Sequence, residues 1–234
     1  MRWLVLLLLG SQVASATELA IFTRDGVVHF LKDGLETAKS EEFSHPQALA
    51  VGSATELYVL ADGIVTVLQS GKKPKRLKGK FSQLAGRGHV FAVDGKGVLG
   101  EVAGGEFQIR GAALTGRFFT GVGESMVVEQ KGSVLDGDRK FPVQGHPIAL
   151  ALTEKRIYVA TKEGPLWIID RATGMQRELV FGNWWNVIDM SAYEDRLYII
   201  TSSGKLWEIA PDVPEKHALA MSGWESAYTI AVLR

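Results

Sequence analysis

Short apolar runs of the β type recur along the chain, and each ends in a turn that carries a glycine. In six runs the glycine follows the first apolar residue by six or seven positions: Leu19–Gly26, Leu57–Gly63, Val90–Gly97, Met126–Gly132, Ile157–Gly164 and Leu197–Gly204. Runs of this length that are rich in β-branched and aromatic residues and bounded by Gly or Asp-Gly are typical of strands. A second strand-like run follows each glycine, so every repeat opens with a predicted β-hairpin.

The repeats predict the architecture, because their openings recur every 31 to 40 residues. A strand-built repeat of that length is typical of a β-propeller with one four-stranded blade per repeat. In the clearest repeat the strands are Ile157–Thr161, Leu166–Asp170 and Gln176–Val180, and the inner strand of the next blade is Val187–Tyr193. The chain ends on one more inner strand, Ala227–Leu233, which no later strand can pair. We therefore predict an all-β, six-bladed propeller whose C-terminal strand completes the first blade, with five or seven blades as the alternatives.

The first sixteen residues have the pattern of a secretory signal peptide. Arg2 precedes the apolar run Trp3–Leu9, and Ala14-Ser15-Ala16 has the small-x-small form of a cleavage site. The apolar run is shorter than the roughly 20 residues that a membrane-spanning helix needs. We expect cleavage after Ala16, a single propeller domain over residues 17–234, and a mature protein that is secreted or periplasmic and does not span the membrane. An uncleaved N-terminal anchor is the alternative.

Composition narrows the class of protein further. The chain has no cysteine, so disulfides and a lipoprotein anchor are excluded, and an exported protein without cysteine fits a bacterial envelope. Its 26 Lys and Arg residues balance 26 Asp and Glu residues, which gives no support for nucleic-acid binding. The one strong basic run, Lys72–Lys80, is predicted on an outer hairpin, where it would form a solvated sheet edge or touch an anionic polymer.

One repeat resembles a known propeller family. The segment Ile157–Gly174 is similar to the repeat of quinoprotein-type (PQQ-like) propellers, in which a strand ending in Gly precedes a Leu-x-x-x-Asp strand and a Thr-Gly turn. The next repeat, Leu197–Pro211, follows the first part and departs at the Asp and the Thr-Gly. True quinoprotein dehydrogenases are much larger and have more blades and a dedicated cofactor pocket, so the resemblance is taken to imply the repeat architecture and not the cofactor. The Trp-bearing segments Asn183–Asn186 and Gly223–Glu225 also resemble tectonin-type lectin propellers.

The candidate binding residues lie in the six segments that lead into the inner strands. In a propeller these segments ring one mouth of the central channel, and loops on a rigid scaffold are where binding residues concentrate. Aromatic faces there suit sugar rings, aromatic ligands or peptide anchors. The predicted ligand-binding residues are His45, Gln47, Phe118, His146, Trp184, Trp185, Asn186 and Trp224. Packing between blades is the alternative role for the aromatic residues, and we expect it for Trp167 and Trp207, which lie three residues after their repeat glycines.

The sequence offers little for metal or catalytic chemistry. His45 and His146 occupy matching repeat positions on blades that are three apart, too distant to share a zinc ion, whose ligand distances are about 2.0–2.1 Å. No nucleophile elbow, zinc-protease motif, P-loop or EF-hand loop is present. Asp189, Glu194 and Asp195 lie near one inner strand, but carboxylates there need a partner across the channel before they indicate acid–base catalysis.

These observations predict a non-enzymatic, monomeric interaction platform that has no metal or cofactor and binds a protein partner of the cell envelope or extracellular space at the channel mouth. The alternative is a carbohydrate-binding propeller of lectin type, which requires an exposed Trp184 or Trp185. A small metal-dependent lactonase or hydrolase is a third alternative, and it requires three or four convergent polar side chains in the channel.

Overall fold

The computed structural model describes residues 17–52, 56–69, 72–103, 106–114, 116, 118–179, 182–213 and 215–233. Within these ranges the secondary structure consists of strands, arranged as six four-stranded antiparallel sheets. No helix in the described part of the chain is long and apolar enough to cross a membrane. The predicted signal peptide, residues 1–16, lies outside the described residues.

Each sheet is one blade of a ring, and we number the blades 1 to 6 along the chain. The outer three strands of blade 1 are β1 (Glu18–Thr23), β2 (Val28–Lys32) and β3 (Leu35–Lys39). Blade 2 contains β4 (Pro46–Val51), β5 (Glu56–Ala61), β6 (Ile64–Gln69) and β7 (Lys75–Arg76), and blade 3 contains β8 (Phe81–Ala85), β9 (Val90–Asp94), β10 (Val98–Ala103) and β11 (Glu106–Ala113). Blade 4 contains β12 (Phe118–Val122), β13 (Ser125–Gln130), β14 (Ser133–Asp136) and β15 (Arg139–Pro142).

Blade 5 contains β16 (Pro147–Leu152), β17 (Arg156–Thr161), β18 (Leu166–Asp170) and β19 (Gln176–Glu178). Blade 6 contains β20 (Val187–Tyr193), β21 (Arg196–Thr201), β22 (Leu206–Ala210) and β23 (Glu215–Ala220). The last strand, β24 (Ala227–Val232), pairs antiparallel with β1 and is the inner strand of blade 1. The six-bladed count and the closure of the ring by the C-terminal strand are therefore confirmed.

Apolar side chains are packed between neighbouring blades rather than within one. The core between blades 5 and 6 includes the fully buried Leu166 and Leu197, and the core between blades 1 and 2 includes Phe22 and Val59. Burying a side chain of this size stabilises the fold by about 1.5–3 kcal/mol. Each blade presents one apolar face to each neighbour, so the repeat pattern of the sequence produces a ring.

The two repeated tryptophans take the packing positions that the sequence predicts. Trp167 is packed against the core between blades 4 and 5, and Trp207 against the core between blades 5 and 6. The indole N–H of Trp167 also donates to the carbonyl of Gln144, at 3.1 Å. The basic run is placed at an outer sheet edge, because Lys75–Arg76 forms β7.

Candidate functional site

The inner strands of all six blades line one central cavity of about 520 Å³. Each inner strand occupies the same place in its sheet and runs antiparallel to the next strand outward, including β24 in blade 1. The six inner strands therefore start at the same end of the channel. We call the end where they start the front mouth and the end where they finish the rear mouth. The segments that carry the predicted binding residues precede these strands and therefore lie at the front mouth.

A repeated backbone irregularity aims side chains into the front mouth. Five of the six inner strands shift register beside their second residue. Such a β-bulge leaves one residue unpaired and turns its side chain. The bulged residues all line the channel, and they are Gln47, Ser82, Ile148, Ile188 and Tyr228. They are polar on blades 2 and 3 and mainly apolar on blades 5, 6 and 1, so the rim of the front mouth has two chemically different sides.

Trp184 and Trp185 differ in burial, as the sequence predicts for one residue of the pair. The backbone here is a turn rather than an extended segment, because Trp184 O accepts a hydrogen bond from Val187 N at 3.2 Å. Trp184 is buried in the core between blades 5 and 6, where its ring lies 4.5 Å from the Nζ of Lys216. Trp185 is 59% exposed. A ligand contact through Trp184 would require this core to open, so the contact expected from the pair falls to Trp185.

Two further predicted residues, Asn186 and Trp224, lie in segments that lead into inner strands, and each has a partner of its own. Asn186 is half-buried, and its carbonyl accepts a hydrogen bond from Ser202 N at 2.9 Å. Trp224 is half-buried in the segment before β24 and meets the ring of His29 edge-on, with the centroids 5.3 Å apart. Trp224 therefore presents less of its face to a ligand than Trp185 does.

Gln47 is placed in the channel lining, where its Oε1 accepts a hydrogen bond from Gly63 N at 2.7 Å. The other side chain predicted on this side of the ring, Phe118, lies outside the described side chains. Gln47 is thus the one predicted residue that both lines the cavity and has its orientation held by a backbone hydrogen bond.

The two matched histidines are exposed and each is paired with an acidic residue of its own blade. His45 Nδ1 lies 3.9 Å from an oxygen of Asp62, and the ring of His146 contacts Glu163. Hydrogen bonds from the ring and backbone N–H of His146 lower the pKa of the Glu163 carboxyl to about 2. These contacts are a repeated cap on the turn that follows the second strand of the blade. In the described part of the chain, no three His, Asp or Glu side chains are grouped so as to hold a metal ion.

Asp189 is a channel residue whose role depends on the closing strand. Its carboxylate accepts hydrogen bonds from Thr229 Oγ1 at 2.5 Å and from Ile230 N at 3.0 Å, both on β24. Ser191 lies two residues after Asp189 on β20, and its Oγ accepts a hydrogen bond from Val232 N at 3.1 Å. Burial raises the pKa of the Asp189 carboxyl to about 6. These contacts join blade 6 to blade 1 at the point where the ring closes.

The rear mouth is crossed by the loop Gly86-Arg87-Gly88, which follows β8. Gly86 O accepts from Val51 N at 2.9 Å on blade 2, and Arg87 O accepts from Gly123 N at 2.8 Å on blade 4. Gly86 and Gly88 have φ angles of +128° and +84°, which favour glycine. The loop of blade 3 is therefore fixed to both neighbouring blades.

Arg87 spans the rear mouth from one side of the ring to the other. Its guanidinium carbon lies 3.5 Å from the ring centroid of Tyr193, on blade 6 directly opposite. Beyond it is a second cavity of about 510 Å³, lined also by Glu154, Glu194 and Asp195. Because Arg87 lines both cavities, it forms the partition between them.

Sequence reasoning missed Arg87, the role of Asp189 and four of the five bulged residues. A bulge is a property of strand pairing, so the second residue of an inner strand looks like any other strand position in the sequence. The Gly-Arg-Gly triplet was a usable signal, because two glycines around a cation indicate a tight backbone path that presents one side chain.

The structure is similar to solved propellers at low sequence identity. A chain of the nidogen/laminin complex matches with a TM-score of 0.72 and 11% identity, over 93% of this chain and 98% of that chain. Apo AztD from Citrobacter koseri matches with a TM-score of 0.62 and 11% identity, over 93% and 98%. A protein of unknown function from Bacteroides caccae matches with a TM-score of 0.65 and 13% identity, over 94% and 100%.

At these identities the likeness shows the fold alone. No family model matches the chain, and no curated protein matches its sequence. The six-bladed propeller is thus supported by structural neighbours, whereas the resemblance to quinoprotein-type and tectonin-type repeats stays a prediction.

Proposed function

We propose that this protein is an exported, non-enzymatic binding protein that engages a protein partner of the cell envelope or extracellular space through its front mouth. The observation that carries the proposal is the exposed indole of Trp185 beside the opening, while the neighbouring Trp184 is buried. A large exposed aromatic side chain on a rigid scaffold is the usual anchor of a protein interface.

The surroundings of Trp185 support a protein partner. On the same side of the rim, the bulged residues of blades 5, 6 and 1 are Ile148, Ile188 and Tyr228, and Tyr228 is 43% exposed. Met221, in the segment before β24, is also exposed. Interface cores are enriched in aromatic side chains and methionine, which matches these residues, and the exposed Glu163 and Glu225 would lie in the polar rim around such a core.

A carbohydrate ligand is the second candidate, and the observation that favours it is the exposed ring of Trp185, which the polar Asn186 follows in the chain. A flat exposed aromatic face suits a sugar ring. On the next blade Trp224 is equivalent to the buried Trp184 and is half-buried against His29, while Glu225 takes the place of Trp185. A lectin built on this mouth would therefore have one main sugar site at Trp185 rather than repeated equal sites.

Export is supported by the leader pattern and by the start of the fold. Strand β1 begins at Glu18, two residues after the predicted cleavage position. Thr17 N donates to Asp33 Oδ1 at 3.0 Å. Cleavage after Ala16 would make this nitrogen the α-ammonium group of the mature chain, so the pair would become an ion pair at the surface.

The proposal is tested with immobilised mature protein and a cell-envelope extract of the native host. Wild type is compared with Trp185→Ala and with a control, Met175→Ala, which removes another exposed apolar side chain at the turn between β18 and β19. The captured protein is identified, purified and titrated against each variant. We expect Trp185→Ala to weaken its binding by about tenfold or more, as for a hot-spot residue, and Met175→Ala to leave it unchanged.

Equal losses for both variants, or no loss for Trp185→Ala, would contradict the proposal. A glycan array read with the same proteins distinguishes the second candidate. Binding of one glycan class that disappears in Trp185→Ala, with no protein captured, would favour the lectin.

A further inference from the structure

The guanidinium of Arg87 at the rear mouth is incompletely satisfied by the described residues around it. Its Nε is buried and makes no hydrogen bond to any of them. The aromatic face of Tyr193 covers it on one side, the hydroxyl of Tyr193 adds a stabilising hydrogen bond, and the carboxylate of Glu194 acts on it through space. Arginine does not lose its proton in proteins, so the positive charge persists in this environment.

With its Nε unpaired, the Arg87 cation is not fully compensated by Tyr193 and Glu194. Removing a charged group from water is costly unless it is paired and hydrogen-bonded. A cation–π contact contributes only about 0.5–2 kcal/mol. Backbone hydrogen bonds from the Gly86–Gly88 loop to blades 2 and 4 nevertheless hold Arg87 there. The fold therefore fixes the positive charge between the two cavities.

The channel cavity in front of Arg87 has the size and lining of a small-ligand site. Its volume of about 520 Å³ falls in the range of roughly 300–1,000 Å³ found for small-molecule pockets. Side-chain hydrogen-bonding groups of Gln83, Thr120 and Ser191 line it. The cavity therefore offers a fixed charge together with neutral polar groups that could orient a ligand.

We propose that the channel binds a small polar carboxylate whose anionic group contacts Arg87. The charged side chains that line the cavity, within the described residues, are Arg24, Asp189 and Arg87. With Asp189 ionised, the channel side sums to one positive charge, and the acidic side chains of the rear cavity, including Glu194, oppose a second negative charge on the ligand. A phosphate, with a charge of about −1.5 to −2 at pH 7, would leave excess negative charge beside Asp189. The planar guanidinium also matches the geometry of a carboxylate.

This site is separate from the proposed protein contact at the front mouth, because it involves different residues at the opposite end of the channel. The test uses calorimetric titration of the mature protein with lactate, pyruvate and 3-hydroxybutyrate, which each carry one negative charge, at up to about 10 mM, which detects ligands of millimolar Kd. Lactamide is the uncharged control for lactate, and inorganic phosphate is the alternative anion. We expect at least one carboxylate to bind, and lactamide not to bind.

Variants then assign the binding to Arg87. Arg87→Gln should weaken the carboxylate by about tenfold or more, whereas Arg177→Gln, at an exposed arginine of β19, should not change it. Arg87→Lys keeps the charge but loses the planar fork, so it should give an intermediate affinity, and it replaces Arg87→Gln if that variant does not fold. Circular dichroism of each variant establishes folding.

Three results would overturn the proposal. These are no saturable binding by any of the three carboxylates, equal binding by wild type and the Arg87 variants, and binding of phosphate in preference to every carboxylate. Loss of the protein partner in Trp185→Ala leaves this titration unaffected, so the two proposals can fail independently.

Discussion

At the front mouth five inner strands each turn one bulged side chain into the opening, whereas at the rear mouth a single loop of blade 3 crosses it. The front mouth thus has a rim whose chemistry varies from blade to blade, with Trp185 exposed beside it. The rear mouth has one cation, Arg87, laid against the opposite blade. The same six strands build both ends, so the difference comes from local backbone irregularities and not from the repeat itself.

The largest expected effect separates the two neighbouring tryptophans of the front mouth. Trp184→Ala should lower the free energy of unfolding by about 3–5 kcal/mol, because it leaves a cavity between blades 5 and 6. Trp185→Ala should change it by less than about 0.5 kcal/mol, because the ring is exposed. Urea denaturation of both variants measures the difference. A comparable loss in the two variants would mean that Trp185 is also part of the folded core.

The rear mouth is probed by alanine at its two glycines. A Cβ at Gly86 would lie 2.1 Å from the carbonyl oxygen of His89, whereas the nearest atoms to a Cβ at Gly88, on Gly123, would be 3.8 Å away. Gly86→Ala should therefore cost about 2–4 kcal/mol, from strain and overlap together. Gly88→Ala should cost only about 1 kcal/mol, from its positive φ. Equal losses of unfolding free energy in the two variants would show that the close backbone contact at Gly86 does not stabilise the loop that carries Arg87.

A pH-dependent difference is expected where the ring closes. Asp189 has a folded pKa of about 6, against 3.8 without the fold. Between these values the unfolded chain ionises first, so the contribution of Asp189 to the free energy of unfolding should fall as pH rises from 4 to 6 and then level off. Asp189→Asn cannot ionise and keeps an acceptor for Thr229 and Ile230.

The variant should therefore gain about 2 kcal/mol relative to wild type at pH 7.5 and almost nothing at pH 3.5. Denaturant unfolding at the two pH values provides the check. A variant that is less stable than wild type at pH 7.5 but not at pH 3.5 would show that the ionised carboxylate stabilises the pairing with β24 by more than its burial costs.

The smallest effect concerns the chain start. Mass spectrometry of the exported protein should find Thr17 as the first residue. Asp33→Asn should then lower stability by less than about 1 kcal/mol, as expected for an exposed ion pair. Asp33 has a φ of +51°, which asparagine tolerates, so strain should not obscure the effect. The same substitution in a chain with residues added before Thr17 should have no charge-dependent effect, and a different first residue would refute the cleavage prediction.

The strand repeats were predictable because their signal is local. The segment 157–193 was assigned to strands whose observed bounds differ by at most two residues, since alternation and Gly turns are visible in sequence. One exposed residue in the pair Trp184 and Trp185 was also predicted, although from the period of extended backbone, whereas the structure forms a turn there. The partners of Asp189 on β24 were not predictable, because they lie 40 residues away and meet only when the ring closes.

By itself the sequence determined the six repeats, the strand order within each blade and the strand left over to complete blade 1, because each depends on periodicity and on turn residues close in the chain. Only the tertiary structure decided which tryptophan is exposed, that bulged residues form the front rim, and that Arg87 reaches Tyr193. These features depend on how strands pair and how blades three apart face each other across the channel. A linear pattern of apolar and polar residues does not contain those distances.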